Sequence, residues 1–262
     1  LRIPAIPAEL GGRDQGSYVL RARHTLRTGA IGLVDPVLAA AGRAVDQRPG
    51  PGDILGLYPP AGGPGRAGRY EGAYRPGFYL ADRGRGEVVP QFLHLHPTLL
   101  ATSGLVVGPE HMTLLLHLEA LLAVLGLWAL GRRLLPHGPW ALLAAGLYAC
   151  SPLAVWVHRT PLTEPLTGLL LLAAALALAR GLRGGGDTTA IAALLLGATA
   201  WIRGNTWLSA PLMLAILWLL PGTSPRRLLA PTCLFGLLVA SLAVHVATSF
   251  PYLYDELHRL LG

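Results

Sequence analysis

Four polar clusters interrupt an otherwise apolar chain, and each carries residue types that can do chemistry. The first is Arg13-Asp14-Gln15-Gly16-Ser17-Tyr18. A carboxylate such as Asp14, held at a membrane surface, can accept the proton of an attacking hydroxyl as a general base. A carboxylate opening a helix is equally accounted for as a cap or a partner of the helix dipole. The second is Gln91-Phe92-Leu93-His94-Leu95-His96-Pro97. Histidines at i and i+2 suit a strand or loop, from which His94 and His96 could both reach a phosphate or a divalent cation such as Mg or Mn. A full metal site needs three or four ligands, and a pair of histidines alone does not supply them. The third cluster is His158-Arg159-Thr160-Pro161-Leu162-Thr163-Glu164-Pro165. Ionisable residues at the mouth between two apolar runs are functional candidates by default, although an interfacial turn with a capping threonine explains the same pattern. The fourth is Trp201-Ile202-Arg203-Gly204-Asn205. The planar fork of Arg203 suits a phosphate, and simple snorkelling to the interface is the competing account.

These clusters are positioned by two unlike stretches. The 262 residues are 52% hydrophobic, with mean hydropathy +0.48 and 13% charged residues. Soluble domains carry about a quarter charged residues, so the bulk of this chain belongs in a bilayer. All 21 basic residues are Arg. The net charge of +7 does not point to nucleic acid, because no basic stripe with interleaved aromatics accompanies it. Residues 1–97 hold 12 of the arginines and no spanning run. Here 14–28 reads as an amphipathic helix with Val19, Ala22 and Leu26 on one face, Asp14, Tyr18 and Arg21 on another, and Gly29 ending it. Residues 48–77 are too rich in Gly and Pro for a regular element. They read either as a disordered linker or as an ordered loop over a site, and the nearby Tyr58, Tyr70, Tyr74, Phe78 and Tyr79 favour order.

Residues 98–262 read as a transmembrane bundle with runs at 111–134, 139–157, 162–182, 188–203, 205–220 and 228–249; a span needs about 20 apolar residues. Residues 98–109 are too short to span and read as re-entrant or interfacial. His117 and Glu119 lie in the first run, two apart and so facing different directions on a helix. His245 reads as a packing residue. Cys150 and Cys233 sit in apolar runs, where a disulfide framework is not expected. Arg132/Arg133, Arg180/Arg183 and Arg226/Arg227 follow alternate runs and share one side, the cytoplasm by the positive-inside rule. The four polar clusters then fall on the outer face. The chain opens on Leu1 and closes soon after an apolar run, which reads as a fragment of a longer protein.

Asp14-Gln15-Gly16-Ser17-Tyr18 resembles the Asp-(Glu/Gln)-x-x-Tyr opening of the first extracytoplasmic loop in GT-C glycosyltransferases, a group that includes protein O-mannosyltransferases and aminoarabinose lipid A transferases. Val89 to Pro97 is similar to the segment before their next spans, and Thr163-Glu164-Pro165-Leu166 resembles the acidic motif opening a later span. The resemblance implies an all-α polytopic membrane protein of the bacterial inner membrane, with a large outer loop containing interfacial helices. It implies inverting transfer of a sugar from a polyprenyl-phosphate donor to a lipid, glycan or protein acceptor. Asp14 would be the base. Arg203 and Arg159 would hold the donor phosphate. Tyr18, His94, His96, Glu164 and Asn205 would shape the site, His94, His96 and Glu164 being the candidates for any divalent cation. No phosphate-cradling glycine loop, nucleophile elbow or paired-cysteine zinc pattern offers another route. A multi-span transporter or flippase, or a non-enzymic membrane scaffold, are the other classes compatible with polar breaks in apolar helices.

Overall fold

The computed structural model describes residues 13–46, 72–75, 78–82, 84–90, 92–181, 188–203, 206 and 225–249. The described chain is mostly helical and divides into two compact units, one with its described residues within 13–92 and 243–249, the other within 93–242. Of the expected runs, 205–220 lies outside the described residues except for Thr206, and Asn205 lies outside them.

The loop unit opens with α1 (Arg13–Thr28). Its periodicity and its stop were legible: Gly29 takes a left-handed φ of 71° and donates its N–H to the Thr25 carbonyl at 2.8 Å, closing the helix as glycine alone does cheaply. The two-face reading was only half right. Val19 and Ala22 are buried, but so are Ser17, Tyr18 and Arg21. After a two-residue strand β1 (Leu33–Val34) the chain enters α2 (Pro36–Asp46). Asp35 starts that helix. Its Oδ1 accepts the N–H groups of Val37 at 2.9 Å and Leu38 at 3.2 Å, and Pro36 follows where its missing N–H costs nothing.

A small antiparallel sheet completes this unit, within a chain that is otherwise mostly helical. Strands β2 (Gly72–Arg75), β3 (Phe78–Asp82) and β4 (Glu87–Pro90) join β1 in the order β1-β4-β3-β2. Strand β2 lies inside 48–77, where no regular element was expected. The period-2 signal is present but short: Phe78 and Leu80 point inward from β3, Val88 from β4. They pack with Leu38, and with Leu20 and Leu33 at the margin. Four and five residues among glycines, prolines and arginines give too few repeats to stand out. The β3–β4 turn depends on Gly86, at φ 68°. A Cβ there would lie 2.1 Å from the Asp35 carbonyl oxygen, which is backbone and cannot swing away.

The helical unit begins with α3 (Leu95–Val107), at 13 residues too short to span, and a single 3-10 turn, Pro109–His111. Then come α4 (Leu114–Leu134), α5 (Gly138–Cys150), α6 (Pro152–Arg159), α7 (Glu164–Gly181), α8 (Thr188–Ala200) and α9 (Pro225–Ser249). Helices α4 and α7 are long and apolar enough to cross a membrane, and α5 with α6 makes a third candidate bent by 58°. At about 1.5 Å per residue α4 is roughly 31 Å long, the thickness of a hydrocarbon core. The continuous 139–157 run is corrected at this bend. Pro152 has no N–H to give and disfavours helical backbone at Ser151, which sits at φ −65°, ψ 124° and caps α6 with its hydroxyl on the Ala154 N–H. Arg132 and Arg133 end α4, and Arg180 ends α7.

Small residues let the helices meet. A Cβ on Gly131 would touch Ala141 of α5, and one on Gly126 would touch Leu172 of α7. The core proper joins Ala174, Ala177 and Leu178 of α7 to Ala192, Ala193 and Leu196 of α8 and Phe235 of α9. The outward face of α4 exposes Leu114, Leu118, Leu121, Leu125 and Trp128, a surface suited to lipid and not to water. The chain is a membrane protein by these helices.

Gly86→Ala should lower the stability of the loop unit by at least about 1–2 kcal/mol, the cost of a left-handed non-glycine residue, before the backbone clash is added. Denaturant unfolding of the intact protein, followed by protease cleavage within this unit, measures it. An unchanged midpoint would mean that the turn relaxes freely.

Candidate functional site

The helical unit gathers its polar groups where α6 ends, α7 begins and α8 ends. The sequence supplies the reason: Thr160-Pro161 and the run after Thr199 both stop helices. Arg203 follows α8, with its N–H on the Thr199 carbonyl at 3.0 Å. Its guanidinium donates to the carboxylate of Glu164, the first residue of α7, in a direct ion pair. These two, 39 residues apart, are the sequence candidates the structure brings together. Thr163 adds a long contact from its hydroxyl to Glu164 Oε2 at 3.5 Å. The pair is half-exposed, with side-chain exposures of 33% and 45%. Solvent-screened pairs of this kind contribute little stability, about 0–1 kcal/mol. Glu164 also faces the positive end of its own helix.

Around this pair the polar side chains are buried. Thr160 donates to the Trp156 carbonyl at 2.9 Å, and Thr167 to the Thr163 carbonyl at 2.8 Å. His158, in the last turn of α6, meets the Tyr148 hydroxyl through Nε2 at 2.9 Å. Arg159 is half-buried beside it. Sequence reasoning named the cluster but not the His158–Tyr148 pair, whose members lie ten residues apart across the proline bend.

The two histidines of the second cluster straddle the start of a helix. His94 is the residue before α3, and His96 lies in its first turn, so the i, i+2 spacing falls on a helix start and not on a strand; the side chains diverge. The His94 carbonyl accepts the Thr98 N–H at 3.0 Å and the Thr98 hydroxyl at 2.8 Å. His96 is fully buried. Burial lowers its pKa to about 4, partly opposed by the backbone of Pro161. The imidazole is therefore neutral at physiological pH. Among the described residues no three His, Cys, Asp or Glu side chains gather as a metal site.

Asp14 and Tyr18 belong to the loop unit. Asp14 is the second residue of α1 and half-buried. Tyr18 is 4% exposed and packs on the Phe92 ring at 5.3 Å between centroids. One turn on, buried Arg21 donates to the Phe92 carbonyl at 2.7 Å. Burial lowers the Arg21 pKa to about 9, with Tyr18 opposing, so the guanidinium stays charged at neutral pH.

Glu119 is the residue that sequence reasoning set aside. It is 2% exposed, and neither carboxyl oxygen has a hydrogen-bond partner among the described residues. Two helical turns separate it from Gly126, so both lie on the face of α4 turned to α7. The signal was available: a Glu inside an apolar run is costly and rarely idle.

Comparison with protein-family models, curated proteins and solved structures finds no match. The functional reading therefore rests on the residues themselves.

His96 titrates near 6.5 when unfolded and near 4 when folded. Between those values the unfolded chain binds more protons, so stability falls as pH falls from 6.5 to 4, by about 3 kcal/mol in all. Melting temperatures across that window should show the loss in the native chain and a flatter profile in His96→Gln. Replacing Glu119 with Leu should raise stability by about 1–3 kcal/mol, the penalty of an unpartnered buried polar group. A lower melting temperature would show that the carboxyl has a partner after all.

Proposed function

We propose that the chain carries the donor-binding part of a membrane glycosyltransferase that uses a polyprenyl-phosphate sugar. The observation that carries this reading is the Glu164–Arg203 pair at the polar end of α7 and α8. A half-exposed guanidinium held by a carboxylate at the end of apolar helices is a site an incoming phosphate can claim by exchange. The charge-assisted fork then serves the lipid phosphate in place of Glu164. The order of the Asp14-Gln15-Gly16-Ser17-Tyr18 and Thr163-Glu164-Pro165-Leu166 motifs supports the same assignment.

In this reaction an acceptor hydroxyl oxygen attacks the anomeric carbon from the face opposite the phosphate. The new C–O bond forms as the bond to the phosphate oxygen breaks. The electron pair leaves with the phosphate, where Arg203 stabilises it, with Arg159 as a second cation. The hydroxyl proton goes to the Asp14 carboxylate. The site would face the extracytoplasmic side of a bacterial inner membrane, with the arginines ending α4 and α7 in the cytoplasm.

The α5–α6 bend and the buried Glu119 favour a second reading, a transporter or flippase of the same lipid, since broken helices and intramembrane carboxyls are transporter features.

Sugar transfer from a labelled polyprenyl-phosphate donor, with the intact protein in proteoliposomes, separates them. Asp14→Asn should reduce kcat by about 10²–10⁴-fold, and Arg203→Ala by about 10²–10³-fold, with Arg203→Lys between. Transfer undiminished in both variants overturns the mechanism. Donor translocation without transfer, lost in Glu119→Leu, establishes the transporter.

A further inference from the structure

Glu119 lies in the second turn of α4, inside the bundle. Its neighbours at i±3 and i±4 on that helix are Leu115, Leu116, Leu122 and Ala123, so α4 itself offers it no donor. The helices packed on α4 are α3, α5, α6 and α7, and their ionisable groups are engaged elsewhere. His96 of α3 lies against the backbone of Pro161. Tyr148 of α5 and His158 of α6 hold one another. Glu164 of α7 is held by Arg203. Cys150 is exposed, and Arg180 is at the far end of α7. Arg159 does not reach Glu119 either, since neither carboxyl oxygen has a hydrogen-bond partner among the described residues.

The packing also fixes the height of this carboxyl in the bundle. Helix α5 returns alongside α4, because a Cβ on Gly131 would touch Ala141 across the short turn between them. Helix α6 carries on past the bend, and α7 comes back, parallel to α4. A Cβ on Gly126 would meet Leu172. Seven residues earlier on the two helices stand Glu119 and Pro165. Glu119 is therefore about 10 Å along the bundle from the Gly126–Leu172 contact, level with the first turn of α7. That turn begins with Glu164, whose side chain is reached by solvent. Two carboxyls thus share one height, one at the wet edge and one in the interior.

A carboxylate without donor or counter-ion is costly away from water, whereas a carboxylic acid carries no charge. Packing alone would be served better by leucine, and carboxyls at membrane depth are a means of moving protons. We propose that Glu119 is a proton-binding site of the helical unit, holding its proton while α4 and α7 are packed and exchanging it with water at the end of the bundle where α7 begins. In the exchange the O–H bond breaks, its electron pair stays on the carboxylate oxygen, and the proton passes to a water molecule as hydronium; the reverse step restores the acid. The inference rests on the membrane helices and on neither sugar transfer nor lipid translocation, and its test measures neither.

Infrared difference spectra test it, with the intact native protein and Glu119→Gln each in phosphatidylcholine vesicles. Glutamine keeps the shape of the acid without its titratable proton. The native protein should show a protonated-carboxyl C=O band at neutral pH that is lost in Glu119→Gln and kept in Glu119→Asp. Transfer to heavy water should move that band to lower frequency. Dicyclohexylcarbodiimide, which partitions into lipid, should add to the acid. The acid proton goes to one reagent nitrogen, the carboxyl oxygen bonds the central carbon, and acyl migration leaves an N-acylurea on Glu119 that mass spectrometry locates. A water-soluble carbodiimide should leave no adduct there. Absence of the band overturns the bound proton, and a band that never shifts in heavy water overturns the exchange. Modification of Glu119 by the water-soluble reagent overturns its place in the interior. The adduct needs no variant, so an unmodified Glu119 in the native protein overturns the proposal even where Glu119→Gln fails to fold.

Discussion

Polar groups placed among apolar helices must find partners without water, and this constraint organises the helical unit. Glu164 and Arg203 meet at one end of the α7–α8 pair; at the other, a Cβ on Gly181 would strike Thr189. The hairpin is thus fixed at both ends, by charge at one and by close packing at the other. The threonines beneath the ion pair satisfy backbone carbonyls of their own helices. His158 turns to Tyr148. Glu119 stands apart from this pattern, and a buried carboxyl outside it has either a function or a stability cost.

The loop unit solves the same problem differently. Its helix α1 buries an arginine, and the Phe92 carbonyl and the Tyr18 ring give that charge its surroundings. Breaking a buried charge from its acceptor is far costlier than losing an exposed pair. The Asp14 motif is therefore built on a helix whose neighbouring residues are fixed in the core. A carboxylate on such a helix has a defined position, which is what a proton acceptor needs.

Local signals were legible and long-range ones were not. Helix α1 announced itself by periodicity and by Gly29, and α4 and α7 by length and apolarity. The break at Ser151–Pro152 was hidden because the flanking residues are as apolar as the helices they separate. Strands β2 to β4 were hidden by brevity. Glu164 and Arg203 each stood out as ions at a membrane edge, but nothing in a single sequence pairs residues 39 apart. Helical spacing sets Tyr18 on a face with Asp14 and Arg21; Phe92, 74 positions on by number, draws its ring into the core. Two residues of spacing between His94 and His96 cannot say whether a helix has already begun.

The α5–α6 bend has a mechanical side. Measured along the α5 axis, 13 residues rise about 20 Å, and eight more, tilted by 58°, add only about 6 Å. The apolar wall they present is roughly 26 Å tall, against about 31 Å for the straight α4. Lipid beside the bent pair meets a shorter protein than lipid around the rest of the bundle. Straightening the pair in a thicker bilayer, or folding it further in a thinner one, restores the match at a fraction of a kcal/mol per ångström. Bilayer thickness thereby becomes a force on the very segment that carries His158 and Arg159 toward the polar end of the bundle.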